Sequence, residues 1–210
     1  MSQKMSDEQT THIVEDDPAV RESLALLLKS AGFATRSYAS ARGFLEANPT
    51  PIGCVISDIR MPETTGIEML AELRSRRIWV PVILITAYAD VPLAVKAMKL
   101  GAIDFIEKPF DDELMTSSVR AALARRGDTR AGDAEALAAR DRLATLTGRE
   151  KDVLDGLLKG NLNKTIAHDL GISVRTVETY RANVMMKTQA RSLSELVRMS
   201  LVATAAPEET

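Results

Sequence analysis

The 210-residue sequence has one cysteine, one tryptophan, 4% aromatics and no large excess of charge of either sign. A single cysteine, Cys54, excludes a disulfide framework within the chain and fits a reducing compartment, so the expected location is the cytoplasm. Long apolar runs are also missing. The stretch from Trp79 to Ile85 has seven residues and includes Pro81, against the ~20 needed to cross a bilayer, so no membrane partner is expected. The opening MSQKMSDEQT has no apolar core and carries acidic residues, unlike a signal or transit peptide. What is present is ordinary globular material: 45% hydrophobic and 27% charged residues, with 11 glycines and 8 prolines. That composition can bury a core and is neither fibrous nor largely disordered.

The net charge of −2 does not favour nucleic-acid binding, but the sum conceals a local excess. Residues 161–191 contain Lys164, Arg175, Arg181, Lys187 and Arg191 against Asp169 and Glu178, a net of +3. A basic patch is therefore expected in that segment.

Hydrophobic patterning divides the chain in two. From Thr11 to about Arg126, short β-rich runs alternate with helix-length amphipathic ones, the pattern of βα units and a parallel sheet. Strands are expected near Thr11 to Glu15, Ala34 to Tyr38, Gly53 to Ser57, Val82 to Thr86 and Ile103 to Glu107. Helices are expected near Ala19 to Ser30, Ala41 to Ala47, Gly66 to Arg76, Pro92 to Leu100 and Asp112 to Arg125. The third and fourth strands are almost wholly apolar and should be central. Residues 127–144 turn to small and charged residues without a wide apolar face and read as a linker, helical in propensity after Asp133. Beyond them the pattern is all helix. Thr147 and Glu150 form a capping box opening a helix to Leu158, and a second helix covers Asn163 to Leu170. After Gly171, Ser173 caps a third helix to about Lys187, and Ser192 starts a fourth reaching Val202. The organisation expected is a tail at 1–9, an α/β domain at 10–126, the linker, a four-helix domain at 145–204 and a tail at 205–210.

In an open α/β sheet the functional crevice lies at the carboxyl ends of the strands. Polar residues collect there: Glu15, Asp16 and Asp17 after the first strand, Asp58 after the third, Thr86 after the fourth and Lys108 after the fifth. Crowded carboxylates call for a cation, and hard oxygen ligands with open positions suit Mg²⁺, which bridges to phosphate. Asp58, between Ile56 and Ile59, is the natural nucleophile for an aspartyl phosphate, with the metal and Lys108 offsetting charge on the phosphoryl oxygens. Each residue alone also has a plain structural reading as a turn, cap or loop residue; their concurrence at successive strand ends favours the chemical one.

Val14-Glu15-Asp16-Asp17, Ser57-Asp58-Ile59-Arg60-Met61-Pro62 with Gly66, Thr86-Ala87 and Asp104-Phe105-Ile106-Glu107-Lys108-Pro109-Phe110 resemble the receiver domain of two-component response regulators. The resemblance implies a flavodoxin-like five-stranded parallel sheet with Asp58 as phosphoacceptor. It implies Mg²⁺ on Glu15, Asp16, Asp58 and the backbone carbonyl of Arg60, and Lys108 on the phosphoryl group. Thr86 and Phe105 would be the switch residues. Glu15, where many receivers have Asp, and Tyr88, two residues after Thr86, depart from the usual pattern and bear on the metal's outer shell and the phosphate's lifetime.

Asn163 to Leu170, a short turn and Ser173 to Lys187 have the spacing of a helix-turn-helix whose second helix enters the major groove. Ile166, Leu170, Ile172, Val177 and Val184 would face inward, leaving Arg175, Thr176, Glu178, Thr179, Arg181 and Ala182 outward. A plain helical bundle with solvated charges has the same pattern. Leu146-Thr147-Gly148-Arg149-Glu150, Asn163-Lys164-Thr165-Ile166-Ala167 and Arg175-Thr176-Val177-Glu178 through Lys187 resemble the DNA-binding domain of the LuxR and NarL type. With this receiver, the whole chain most resembles FixJ-type regulators.

That resemblance implies Glu178, Thr179 and Ala182 in the groove and Arg175, Thr176, Arg181 and Lys187 on phosphates. Glu178 would accept from cytosine N4, and the methyl of Thr179 or Ala182 would meet a thymine methyl. The implied partners are a sensor histidine kinase, promoter DNA, RNA polymerase and, on phosphorylation, a second copy bound through Val91, Val95, Lys99 and Asp104. No turnover enzyme is expected. A Mg²⁺-dependent phosphohydrolase would need an acid two residues after Asp58, where Arg60 stands. A DNA binder with an idle receiver scaffold remains the other alternative. His12, His168, Cys54, Trp79 and the nine methionines read as structural, with Met185 and Met186 bordering a possible dimer contact.

Overall fold

The computed structural model describes residues 10–47, 52–88, 90–124 and 129–205. The expected tail at 1–9 and all but the first residue of that at 205–210 lie outside the described residues. The chain divides into two compact units, residues 1–89 with 100–126, and residues 90–99 with 127–210.

The first unit is built on a five-stranded, all-parallel sheet in the order β2-β1-β3-β4-β5. The strands are β1 (Thr10–Val14), β2 (Ala34–Tyr38), β3 (Cys54–Asp58), β4 (Val82–Thr86) and β5 (Asp104–Glu107). Its helices are α1 (Pro18–Ser30), α2 (Ala41–Ala47), α3 (Gly66–Ser75) and α5 (Asp112–Ala124); α4 (Val91–Lys99), next after β4 in the chain, groups with the second unit. The apolar β3 and β4 are buried throughout, β3 at the middle of the sheet, because helices cover both faces of a parallel sheet. β1 is buried just as fully despite Thr10, Thr11 and His12. Its histidine meets that burial through Nε2, 2.9 Å from the Ile52 carbonyl, and through packing on Tyr38 and Phe44.

Side chains alternate across a strand, so one set of positions makes one core. Ile13, Cys54, Ile56, Ile83, Ile85 and Ile106 pack with Leu24 and Leu28 of α1 and Met115, Val119 and Ala122 of α5. Carried past the strand ends, the same alternation puts Glu15, Asp58 and Lys108 on that side of the sheet. Leu84 and Phe105, paired in register, belong to the other set, and Thr86 follows Leu84 onto it. Gly66 lets α3 start hard against β3. A Cβ there would lie 2.2 Å from the Asp58 carbonyl oxygen, so only glycine fits.

The second unit is helical. Over most of the segment read as a linker runs α6 (Thr129–Ala144). It is followed by α7 (Gly148–Leu158), α8 (Asn163–Leu170), α9 (Val174–Thr188) and α10 (Leu193–Ala205). Ala136 and Ala139 of α6 are buried, and Arg140 Nε donates to the Ala203 carbonyl at 3.0 Å, which ties α6 to α10. Thr147 caps α7 with the expected box: its amide donates to Glu150 Oε2 at 2.8 Å and its hydroxyl accepts from the Glu150 amide. Val153, Leu157, Ile166, Ala167 and Val177 form one core, with Leu170, Ile172 and Tyr180 at its margin. Leu146, Leu154, Val184, Ala190 and Leu196 form a second.

Candidate functional site

β1, β3 and β5 deliver Glu15, Asp58 and Lys108 to one end of the sheet. Lys108 Nζ donates to Asp58 Oδ1 at 2.6 Å and to Glu15 Oε2 at 2.7 Å, three strand ends joined by one ammonium. The other oxygen of Asp58 accepts from the Arg60 amide. Arg21, in the first turn of α1, donates to the carbonyls of Glu15 at 2.6 Å and Asp16 at 3.1 Å, holding the acidic loop in place. Asp17 leaves the cluster to cap α1, accepting from the Ala19 amide at 2.8 Å. Carboxylate oxygens of Glu15, Asp16 and Asp58 lie within 4.8 Å of one another. Three hard oxygen donors from two loops, with Asp16 on the open side, fit a small divalent cation.

Glu15 and Asp58 are almost fully buried, at 2% and 6% exposure. Burial pushes the Glu15 carboxyl above its usual range, against the bond and charge of Lys108, and the neighbouring Asp58 adds to the rise. For Lys108, burial is the largest single influence and acts downward; the bonds and charges of Asp58 and Glu15 together exceed it, and the ammonium ends above its ordinary value. The site therefore keeps a fixed cation beside the Asp58 carboxylate.

Thr86 is buried, its hydroxyl accepting from the Tyr88 amide at 3.2 Å and donating to the Tyr88 carbonyl at 3.3 Å. Phe105 lies inside at 8% exposure. Of the residues expected at a dimer face, Val95 is buried, Val91 and Asp104 are half-buried and Lys99 is exposed. Asp104 Oδ2 accepts from the Ser118 hydroxyl at 2.8 Å.

In the helical unit, Gly171 ends α8 in the left-handed conformation (φ 65°) and the Ser173 hydroxyl caps α9 by accepting from the Thr176 amide at 3.1 Å. Val177 and Val184 anchor α9 in the two cores. Arg175, Glu178, Thr179 and Ala182 are exposed, with Thr176 and Arg181 half-buried. Thr179 Oγ1 donates back to the Arg175 carbonyl at 3.1 Å, which leaves its methyl for other contacts. Lys187 has a different engagement from the phosphate contact expected of it: its ammonium donates to Glu150 Oε2 at 2.7 Å and ties α9 to the cap of α7. That bond, with the Thr147 amide, holds the Glu150 carboxyl down at about 2.

Arg21 and the second role of Glu150 escape a reading of the sequence, because neither belongs to a local pattern. Arg21 is one of many surface arginines until the β1 to α1 turn folds back over it. The side chain of Arg60, whose guanidinium lies 4.3 Å from the Tyr88 ring centroid, escapes it too.

Residues 11–120 match the model of the response regulator receiver domain, and residues 144–200 match that of bacterial regulatory proteins of the luxR family. The chain is 53% identical over 200 residues to the transcriptional regulatory protein FixJ of Azorhizobium caulinodans, covering 94% of each chain. It is 47% identical over 193 residues to FixJ of Rhizobium meliloti, covering 91% of this chain and 95% of the other. Among solved structures, full-length FixJ from B. japonicum superposes with a TM-score of 0.56 at 44% identity, over 95% of this chain and 99% of that one. Receiver and reading domain in this order, matched end to end by such relatives, place the chain among the two-component response regulators of the FixJ type.

Proposed function

We propose that this protein is a phosphorylation-controlled transcription regulator of the cytoplasm, taking its phosphoryl group from a sensor histidine kinase and acting on promoter DNA. The observation that carries the reading is the Asp58 carboxylate bonded to Lys108 at 2.6 Å within the Glu15–Asp16–Asp58 cluster. An Asp58 oxygen attacks the phosphorus of the kinase's phosphohistidine, the P–N bond breaks, and its electron pair returns to the imidazole. Glu15, Asp16, Asp58 and the carbonyl of Arg60 would hold Mg²⁺, which when bound supplies positive charge against the phosphoryl oxygens. Lys108 moves one of its bonds from Asp58 to a phosphoryl oxygen. The Thr86 hydroxyl, now bonded to Tyr88, turns toward the new group, and Phe105 shifts beside it.

The rearrangement alters the face carrying Val91, Val95, Lys99 and Asp104, brings the buried Val95 to its surface, and lets two copies pair through it. Pairing presents two reading helices to two half-sites, so the second contact becomes intramolecular and affinity rises without new contacts. Glu178, Thr179 and Ala182 read base edges while Arg175, Thr176 and Arg181 hold phosphates, and the bound dimer recruits RNA polymerase. The protein works as a switch rather than as a turnover enzyme.

The test is the intact mass of wild type and Asp58→Asn after incubation with Mg²⁺ and acetyl phosphate, with the same samples run through size exclusion. One phosphoryl adduct on the wild type only, with a shift to dimer, is the expected result. No adduct, with equal DNA binding by both proteins, would leave a constitutive DNA binder on an idle receiver scaffold.

A further inference from the structure

The carboxylates at the end of the sheet are not all held in the same way. Asp58 bonds Lys108 through one oxygen and the Arg60 amide through the other. Glu15 bonds Lys108 through Oε2 and accepts from the Asp17 amide at 3.4 Å through Oε1. Asp17 is fixed as the cap of α1. Asp16 differs: among the described residues no donor bonds to its carboxylate, so its main chain alone decides where that group points.

Arg21 holds that main chain. Its Nη1 donates to the Glu15 carbonyl at 2.6 Å and to the Asp16 carbonyl at 3.1 Å. Those carbonyls belong to the two planar peptide groups on either side of the Asp16 Cα. Fixing both restrains the backbone torsions of Asp16, and with them the direction of its side chain. The placement runs against two ordinary preferences of an arginine. A long cationic side chain extends its head into water, and the N-terminus of a helix disfavours positive charge. The first turn of α1 carries no acidic residue to offset it, and among the described residues no carboxylate pairs with the guanidinium. What the placement gains is the grip on the two carbonyls.

We propose that Arg21 is a positioning residue for the divalent cation: by fixing the peptide groups that flank Asp16 it aims the Asp16 carboxylate at Glu15 and Asp58 and so sets the affinity for the metal. The inference rests on the phosphoacceptor reading above. Arg21 acts only through the Asp16 backbone and donates to neither metal nor phosphoryl group. Its own charge repels an incoming cation, so grip and charge have opposite consequences when the side chain is removed. Loss of the grip weakens metal binding; loss of the charge alone would tighten it.

The experiment titrates Mn²⁺ into the full chain, reads free Mn²⁺ by electron paramagnetic resonance and then displaces the bound ion with Mg²⁺. Circular dichroism under the same conditions follows the fold of each variant. Arg21→Ala is expected to weaken both ions by roughly 10-fold, as loss of a group that orients a metal ligand does. Arg21→Met, which keeps the apolar stem and protects the fold, binds as weakly, because it too lacks the donors. Arg21→Lys, with a donor on a shorter stem, lies between these and the wild type. The Mg²⁺ concentration giving half-maximal labelling by acetyl phosphate rises by the same factor as the dissociation constant. A role in stability alone would lower the thermal midpoint and leave both metal measurements where they were. That result, or tighter binding in Arg21→Met, would overturn the assignment of Arg21 while leaving the phosphoacceptor intact. A wild-type chain that binds no Mn²⁺ and takes no phosphoryl adduct would overturn the phosphoacceptor reading, and the role of Arg21 with it.

Discussion

Cys54 and Glu150 are both buried, and their titration moves in opposite directions, upward by burial in the first and downward by bonded partners in the second. Cys54 opens β3, its thiol donates to the Thr11 hydroxyl at 3.5 Å, and burial pushes that thiol up to about 11. The reactive thiolate is therefore scarce near neutrality. Dithionitrobenzoate at a pH of about 8 should release no chromophore from the native chain and one equivalent after denaturation. Glu150 is as deeply placed but bonded to Lys187 and the Thr147 amide, and its folded value falls from 4.5 to about 2. A carboxyl depressed on folding stabilises the protein above its unfolded value, and that contribution is lost as pH falls through the folded one. Glu150→Gln should therefore lower the thermal midpoint at neutral pH, and the gap from wild type should close between about 4.5 and 2. A gap constant over that range would show that Lys187 contributes nothing to the helical unit through Glu150.

Elements meet at glycines and caps, and their loss is felt where the elements join. Gly66→Ala drives a methyl into the Asp58 carbonyl, 2.2 Å away, so α3 must withdraw from the end of β3. The expected cost is about 1–3 kcal/mol in urea unfolding, with slower acetyl phosphate labelling because the Asp58 loop moves too. Gly156 plays a similar part between α7 and α8, where a Cβ would meet Ile166 Cγ1 at 2.8 Å. Ser173→Ala removes the cap of α9 and should cost about 1 kcal/mol by the same measurement. Most of these elements are legible in the sequence. β2, β4, α2 and α8 have the expected bounds, because turn residues and periodicity mark both ends locally. β1 and β5 begin one residue away from expectation, since strand ends are set by what the neighbouring strand pairs: Thr10 with Ala34, and Asp104 with Ile83. α6 shows the greatest difference. Its composition suggests a weak helix, and it is the packing of Ala136, Ala139 and Arg140 toward α10 that gives it a place in the helical unit.

For the whole molecule, a net charge of −2 is compatible with DNA binding only because the charge on α9 is local. Arg175→Ala with Arg181→Ala should weaken binding to random-sequence duplex DNA and lower the salt slope by about 2, roughly one per lost phosphate contact. Lys187→Ala should change the slope little, its charge being spent on Glu150, and should act through stability instead. A full unit lost from the slope in Lys187→Ala would return that lysine to the phosphate contacts.

The division into an α/β receiver and a helical luxR-family domain, the strand ends bearing Glu15, Asp58, Thr86 and Lys108, and the inward face of α9 all follow from residue order. Alternation, helical periodicity and turn chemistry are properties of adjacent residues, so they survive in the linear chain. The fold alone decided which partner each charge takes. Lys108 joins residues 93 and 50 positions away, Lys187 reaches Glu150, Arg21 turns back onto the Glu15 carbonyl, and Arg60 meets Tyr88 across two loops. A long cationic side chain has many acceptors within reach along the sequence and selects one only when strands and helices have set the distances and burial has removed competing water.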